Sequence, residues 1–149
     1  MLEFSLSVLV LLGSGVVAGV LFAVALSIVP ALTALPASLY VEMHTLIGRR
    51  WDPTMPLLVV SSMAVDVGLA ILTPEERVWY LAAAVALLGV AVVSHFGNVP
   101  LNRAVKSVNP DELPSDWSDP RPTWRRWHLI RTALALVGLA ANAIAVAGL

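Results

Sequence analysis

Residues 4–41 read FSLSVLVLLGSGVVAGVLFAVALSIVPALTALPASLYV and contain no charged side chain. About 20 consecutive apolar residues are enough for a helix to cross the hydrocarbon core of a bilayer. Of all 149 residues, 58% are hydrophobic and 13% are charged, whereas about 25% of a soluble domain is charged. A chain of this size cannot bury so much apolar surface in its own core. The sequence therefore predicts an integral membrane protein.

Three further apolar stretches follow the first, separated by polar segments that contain proline. Together they predict spans at about residues 4–30, 56–73, 78–98 and 124–147. Pro30 and Pro36 are expected to kink or end the first helix, and Gly97 and Pro100 to end the third. We expect one domain, residues 1–149, folded as an all-α integral membrane four-helix bundle.

The segment 36–51, between spans 1 and 2, is amphipathic. Its pattern predicts a short interfacial helix, or alternatively a continuation of helix one. Pro53 and Pro56, which follow charged residues, predict a turn before the second span begins.

Basic side chains are concentrated on one side of the predicted bundle. In a bundle of four spans, the segment after helix one and the loop between spans 3 and 4 lie on the same side of the membrane. Arg77 is the only basic residue on the opposite side. The basic residues of the side that these two segments share are Arg49, Arg50, Arg103, Lys106, Arg121, Arg125, Arg126 and Arg131. The positive-inside rule makes that side cytoplasmic and both termini external, in a plasma or inner membrane. Because four short helices make a thin bundle, we also expect a homo-oligomer in the lipid bilayer.

Two classes of function are excluded by composition. The chain has no cysteine, which rules out disulfides and thiolate chemistry. Its formal net charge is −1 and it carries no basic domain or nucleic-acid motif, so we expect no nucleic-acid partner.

The stretch 123–131, TWRRWHLIR, begins the fourth span. On a helix, Trp124, Trp127, His128 and Arg131 fall within about 100° of one another. Tryptophan and arginine are common anchors at the membrane interface, which is one interpretation of the two indoles. Arg131 lies nearly two turns into the span, where a lipid-facing arginine is costly, and this favours an inward, ligand-binding role.

Polar residues also gather at the end of the third span, in His95, Asn98 and Asn102. They are either caps around the break at Pro100 or the lining of a cavity at the cytoplasmic end. Asp66 lies inside the second span, where an ionisable residue suggests function. We expect it to form the floor of the same cavity, as a proton acceptor or hydrogen-bond anchor, or else to be a structural aspartate.

The pattern Asn98-Val-Pro-Leu-Asn102, followed by Trp124 and Arg131, resembles the anthrone oxygenase-like family of small membrane proteins. The Gly-rich first helix ending in Pro-Ala-Leu, residues 30–32, is similar too. The resemblance implies a four-helix membrane fold and, for some members, oxidation of an anthrone-type polyketide to a quinone.

Anthrone chemistry needs a base, donors for an oxyanion and flat apolar walls, with dioxygen as co-substrate. Removing the activated C–H proton gives an electron-rich anion that can react with dioxygen without a metal. The base would be His128 or His95, with Asp66 as a further proton acceptor. The donors and walls would come from Arg131, Asn98, Asn102, Trp124 and Trp127.

Other functions remain open. His44, His95 and His128, with Glu42, are candidate ligands for copper, iron or zinc, although their spacing matches no local metal motif. A non-catalytic accessory or lipid-binding subunit would show the polar side chains splayed toward the headgroups, whereas an enzyme should enclose them in a cavity. A transporter is the weakest alternative, because four spans leave little room for an alternating-access pathway.

Overall fold

The computed structural model describes residues 1–148, and within this range the regular structure is entirely helical. Four helical segments are long and apolar enough to cross a membrane: Leu2–Ala34, Ala37–Leu72, Arg77–Lys106 and Arg121–Gly148. The elements in order are α1 (Leu2–Ala23), a first π turn (Val24–Ile28), α2 (Val29–Ala34), α3 (Ala37–Leu72), α4 (Arg77–Val93), a second π turn (Ser94–Asn98), α5 (Val99–Lys106) and α6 (Arg121–Gly148). The predicted all-α four-helix membrane architecture is confirmed.

Each long helix packs against two neighbours, in the order α1, α3, α4, α6 around the bundle. Buried side chains such as Val17, Leu87 and Ala135 fill the middle of the bundle. Large apolar side chains remain exposed on the outside, including Leu57 and Val85. This outward apolar surface is what a helix bundle presents to lipid.

The second membrane segment is one continuous helix of 36 residues, which corrects the predicted turn at Pro53 and Pro56. The amphipathic segment is helical as predicted, but it is the first part of α3, neither separate nor a continuation of helix one. At 1.5 Å per residue α3 is about 54 Å long, so it exceeds the hydrocarbon thickness of about 30 Å. Pro53 and Pro56 have no amide hydrogen, so the carbonyls of Arg49 and Asp52, four residues earlier, lack a helical donor. Both residues are exposed, so water can donate to these carbonyls instead.

The third segment also continues where the sequence predicted an end. The second π turn is followed directly by α5, in which Pro100 is the second residue. Pro30 occupies the same position in α2 after the first π turn. Proline is tolerated in the first turn of a helix, where its missing amide has no helical partner. Of the helix ends predicted at Pro30, Pro36 and Pro100, the structure has only the one at Pro36. There Leu35 and Pro36 have extended backbone, which separates α2 from α3.

Arg121 fastens the beginning of α6 to the end of α2. Its Nη1 donates hydrogen bonds to the carbonyls of Leu32, Thr33 and Leu35, at 3.2, 3.3 and 2.6 Å. Its Nη2 forms an ion pair of 2.7 Å with Asp119, and hydrogen bonding to Arg121 lowers the pKa of that carboxyl group. The polar loop 107–120 is thereby held over one end of the bundle.

Candidate functional site

A cavity of about 790 Å³ opens among the helices at the end of the bundle that carries most of the basic residues. Its lining includes His44, His95, His128 and Arg131 from three different membrane segments. His95, His128 and Arg131 therefore border one cavity. Apolar residues of α1 and α3 complete its walls.

The two π turns face this cavity from different segments. Val24 and Ile28 of the first and Ser94, His95 and Asn98 of the second belong to its lining. In each turn an amide donates to the carbonyl five residues earlier, Val29 to Val24 and Val99 to Ser94. A π turn adds one residue to the helical repeat and is frequent at functional sites.

His128 has both ring nitrogens engaged in hydrogen bonds. Its Nδ1 accepts from Nε and Nη2 of Arg131, at 3.2 and 2.8 Å. A guanidinium only donates and a carbonyl only accepts, so Nε2 must donate to the Leu21 carbonyl at 3.0 Å. His128 is thus a neutral imidazole without a free lone pair, which corrects the prediction that it could serve as the base.

Arg131 points into the bundle, as predicted, and lines the cavity. Besides His128 it contacts Ser94, whose Oγ accepts from Nη1 at 3.4 Å. Among the described residues, no carboxylate forms an ion pair with it. Asp52 lines the same cavity and acts on the Arg131 charge at longer range, but it is itself paired with Lys106. A guanidinium with only neutral direct partners in a partly desolvated cavity favours an anionic or strongly polarised ligand.

His44 is a site residue that the sequence suggested only as a metal ligand. The Asn102 Oδ1 accepts from the Trp124 indole and lies 3.1 Å from His44 Nε2, which therefore carries the hydrogen. The other nitrogen, Nδ1, then has a lone pair and makes no hydrogen bond to any of residues 1–148. The sequence feature that could have pointed to His44 is its spacing of four residues from Tyr40 and from Gly48, which places all three on one helix face.

Trp124 is buried inside the site. Its ring stacks on His128 with centroids 5.4 Å apart and an interplanar angle of 21°, and its edge meets His44 at 5.3 Å. The interpretation of Trp124 as an interface anchor is therefore wrong. Trp127 is half-buried, packs against Gly97 and is not part of the cavity lining.

The two asparagines have different surroundings. Asn102 holds His44 and Trp124, whereas Asn98 Nδ2 donates to the Trp124 carbonyl at 3.4 Å. The Asn98 Oδ1 is buried and has no partner in the described part of the chain. Both residues belong to the cavity lining, with the Asn102 Oδ1 engaged and the Asn98 Oδ1 buried behind the surface.

Three other predicted site residues lie apart from this network. His95 is exposed at the edge of the cavity and packs against the ring of Phe96. Asp66 is fully buried but absent from the cavity lining, so it does not form the floor as predicted. Glu42 is exposed and lies outside the lining.

The candidate metal ligands do not come together. Within residues 1–148, no group of three or more His, Asp or Glu side chains is placed to hold a metal ion. In particular, both nitrogens of His128 are already used by Arg131 and Leu21. The predicted ligand set of His44, His95, His128 and Glu42 is thus not assembled.

Fold and cavity together define a small helical membrane protein with four spans and a polar network facing a cavity at its basic end. A family model described as anthrone oxygenase matches residues 43–141, which are 99 of the 149 residues. The chain belongs to the anthrone oxygenase family. The matched range contains His44, Asn102, Trp124, His128 and Arg131. Neither a search of curated proteins nor a search of solved structures found a match.

Proposed function

We propose that the protein is a membrane-embedded oxygenase that oxidises a flat, apolar phenolic or polycyclic molecule of the anthrone type, with dioxygen as co-substrate. The family supports the reaction class, and the cavity supports the kind of substrate. Its volume of about 790 Å³ falls within the ~300–1,000 Å³ typical of small-molecule sites. Trp124 and the apolar side chains of α1 and α3 provide the flat, dry surface that fused rings require.

In this proposal His44 is the general base. Its Nδ1 lone pair removes a proton from the methylene group of the substrate, and the electron pair of that C–H bond moves onto the carbonyl oxygen. Asn102 fixes the tautomer by accepting from Nε2, which leaves Nδ1 for the substrate. His95 is the second candidate base, because it also lines the cavity and has no hydrogen-bond partner among the described residues.

Arg131 stabilises the oxyanion that this proton transfer creates. Its contacts with His128 and Ser94 fix the guanidinium while leaving further N–H donors for a ligand. Preorganised donors of this kind act where charge develops in the transition state. Asn98 and Trp124 position the rest of the ring system.

Dioxygen then accepts electrons from the substrate anion, and a C–O bond forms. Protonation of the product gives a hydroperoxide. Loss of the remaining methylene proton with cleavage of the O–O bond yields the second carbonyl group and water. One substrate and one dioxygen thus give one quinone and one water, and no further reductant is needed.

The observation that carries this proposal is the juxtaposition, in one cavity, of a histidine with a free lone pair and an arginine that forms no direct ion pair with a carboxylate of the described residues. The test measures oxygen uptake and quinone formation from anthrone by the protein in lipid nanodiscs. Empty nanodiscs at the same pH give the rate of spontaneous oxidation. Turnover above that rate is expected, and equal rates would contradict the proposal.

A second candidate function, a non-catalytic lipid-binding subunit, is favoured by a neighbouring apolar groove. The groove is lined by residues of α2, α3 and the first π turn, and it shares Ile28, Leu32 and Ile47 with the cavity. An acyl chain in the groove with its headgroup near Arg131 would fit this arrangement. Stoichiometric lipid in the purified protein, together with no turnover of anthrone, would favour this function.

We also infer that the end with the cavity is cytoplasmic, both termini are external and the protein is a homo-oligomer. The distribution of basic residues supports the orientation in a plasma or inner membrane. The exposed apolar surface of a thin bundle is compatible with self-association.

A further inference from the structure

A second polar cluster lies away from the cavity, among α1, α3 and α6. It consists of Ser14, Ser62, Asp66 and Asn142, of which Ser14, Asp66 and Asn142 are completely buried and Ser62 is 5% exposed. Asn142 follows Arg131 by 11 residues on α6, which is about 16 Å along the helix axis. The cluster therefore lies in the other half of the bundle, and the proposed oxygenase chemistry does not use it.

The packing of three helices brings these side chains together. Gly13 has no side chain, and a Cβ at that position would collide with Ser62 Oγ, so α1 and α3 approach closely there. Asn142 Nδ2 on α6 donates to Ser14 Oγ at 3.3 Å, and the Asn142 side chain faces the Asp66 carboxyl group. Ser62 and Asp66 are four residues apart on the same face of α3.

Hydrogen-bond acceptors are in excess within this cluster. The Asn142 amide approaches the Asp66 carboxyl group, but neither carboxylate oxygen nor the Oδ1 of Asn142 has a hydrogen bond of normal geometry within the described residues. The Ser14 hydroxyl already donates to the Val10 carbonyl at 2.8 Å. Three unsatisfied acceptors in an apolar interior are costly, and an unpaired carboxylate more so.

No protein cation compensates Asp66. Among the described residues neither ion pair includes it. Tyr80, a buried titratable side chain of α4 in this half of the bundle, pairs its hydroxyl group with Ser7 at 2.8 Å. Arg77, at the beginning of α4, is the basic residue at this end of the bundle, and its Nε donates to the Ala70 carbonyl at 3.0 Å. It therefore does not pair with Asp66. Oxygen-rich sites with one negative charge suit a small hard cation, which satisfies several acceptors at once.

We propose that Ser14, Ser62, Asp66 and Asn142 form a binding site for one small monovalent cation, either a sodium ion or a proton. Either one neutralises the Asp66 carboxylate inside the bundle. A sodium ion would be held by Asp66, Asn142 Oδ1 and the serine hydroxyl oxygens. A proton would remove the charge of Asp66 and turn one of its oxygens into a hydrogen-bond donor within the cluster.

The test is thermal unfolding of the purified full chain in detergent, in sodium chloride or in choline chloride at equal ionic strength, across a range of pH. It compares the wild type with Asp66→Asn, and with Asp111→Asn as a control that removes an exposed carboxylate from the loop. No assay of turnover is involved, so failure of the oxygenase proposal would not affect the result.

If sodium is the ligand, the Tm of the wild type rises with sodium but not with choline. The rise is roughly 3 °C for each tenfold increase above the dissociation constant. If the proton is the ligand, the Tm falls with increasing pH whatever the salt. In both cases Asp66→Asn loses the dependence and Asp111→Asn keeps it. The same dependence in all three proteins would overturn the proposal.

Ser62→Ala provides a second measurement if Asp66→Asn does not fold. It removes one oxygen of the cluster and leaves Asp66 in place. The sodium concentration or the pH at the midpoint of the Tm change should then shift relative to wild type. An unchanged midpoint would overturn the assignment of Ser62. A wild-type Tm that depends on neither sodium nor pH would overturn the site.

Discussion

Arg131 donates two hydrogen bonds to one nitrogen of His128, from Nε at 3.2 Å and from Nη2 at 2.8 Å. The guanidinium thereby fixes the imidazole as a neutral ring, and the ring fixes the orientation of the guanidinium. The charge of Arg131 stays available to the cavity because its direct partners, His128 and Ser94, are neutral. In the proposed function, His128 is thus a positioning residue for Arg131.

The variants Arg131→Lys and Arg131→Gln separate the charge of this residue from its hydrogen bonding. Glutamine can still donate to His128 but carries no charge, so kcat for anthrone oxidation should fall about 10²- to 10³-fold, as for loss of an oxyanion donor. Lysine keeps the charge without the planar fork and should lose less. A larger loss in Arg131→Lys than in Arg131→Gln would indicate that Arg131 acts only by supporting His128.

His44→Ala should abolish proton abstraction, with a loss in kcat of about 10²- to 10⁴-fold, the usual contribution of a general base. Added imidazole should restore part of the activity because it can occupy the space left by the side chain. The matched variant is His128→Ala. In it Arg131 loses its hydrogen-bond acceptor and the Leu21 carbonyl loses its donor, so added imidazole should restore far less activity. Rescue of His128→Ala but not of His44→Ala would contradict the assignment of the base.

Lys106 and Asp52 form an ion pair that joins α5 to α3 at the edge of the cavity. Their side chains are 29% and 43% exposed, so the pair should contribute less than about 1 kcal/mol to stability. Asp52→Asn should therefore change the Tm little. It should change KM for the substrate, because this contact borders the cavity, and leave kcat nearly unchanged. A large fall in kcat would place Asp52 in the chemistry instead.

Much of the fold could be predicted from hydrophobic patterning, because four long apolar stretches in a chain with few charges have few alternatives. The positions of the helix interruptions could not. Pro30, Pro53, Pro56 and Pro100 all suggest kinks, ends or turns, yet each lies within a helical segment, whereas Pro36 marks a true break. A proline is compatible with a stop, a first helical turn or a π turn before it, and only the surrounding packing decides among them.

The site could be predicted in part. The shared stripe of Trp124, His128 and Arg131 follows from helical periodicity, and the structure brings these three together. The role proposed for His44 depends on Asn102, which is 58 residues away in the sequence. No local sequence pattern contains such a pairing, so the sequence alone points to His128 or His95 as the base.

The absence of cysteine allows a direct test of orientation. Single cysteines at Glu75, between α3 and α4, and at Asn109, in the loop before α6, lie at opposite ends of the bundle. A thiol reagent that does not cross membranes should label Glu75→Cys on intact cells and Asn109→Cys only after permeabilisation. The reverse pattern would invert the proposed topology.

Gly97 lies where the second π turn meets α6. A Cβ at this position would be 2.7 Å from Cγ of Trp127, so α6 can approach only because residue 97 has no side chain. Gly97→Ala should lower the free energy of unfolding by about 1–3 kcal/mol, the cost of overpacking a well-packed contact. It should also reduce activity, since Trp127 and the neighbouring Trp124 would have to move.

Gly19 provides the matched control for this substitution, because it is also helical and a Cβ there would meet nothing within 4 Å. Gly19→Ala should leave stability unchanged or raise it by up to about 1 kcal/mol through improved helix propensity. Equilibrium unfolding in detergent, monitored by tryptophan fluorescence, measures both variants. Equal effects of the two substitutions would show that the contact between Gly97 and Trp127 is not needed to hold the π turn against α6.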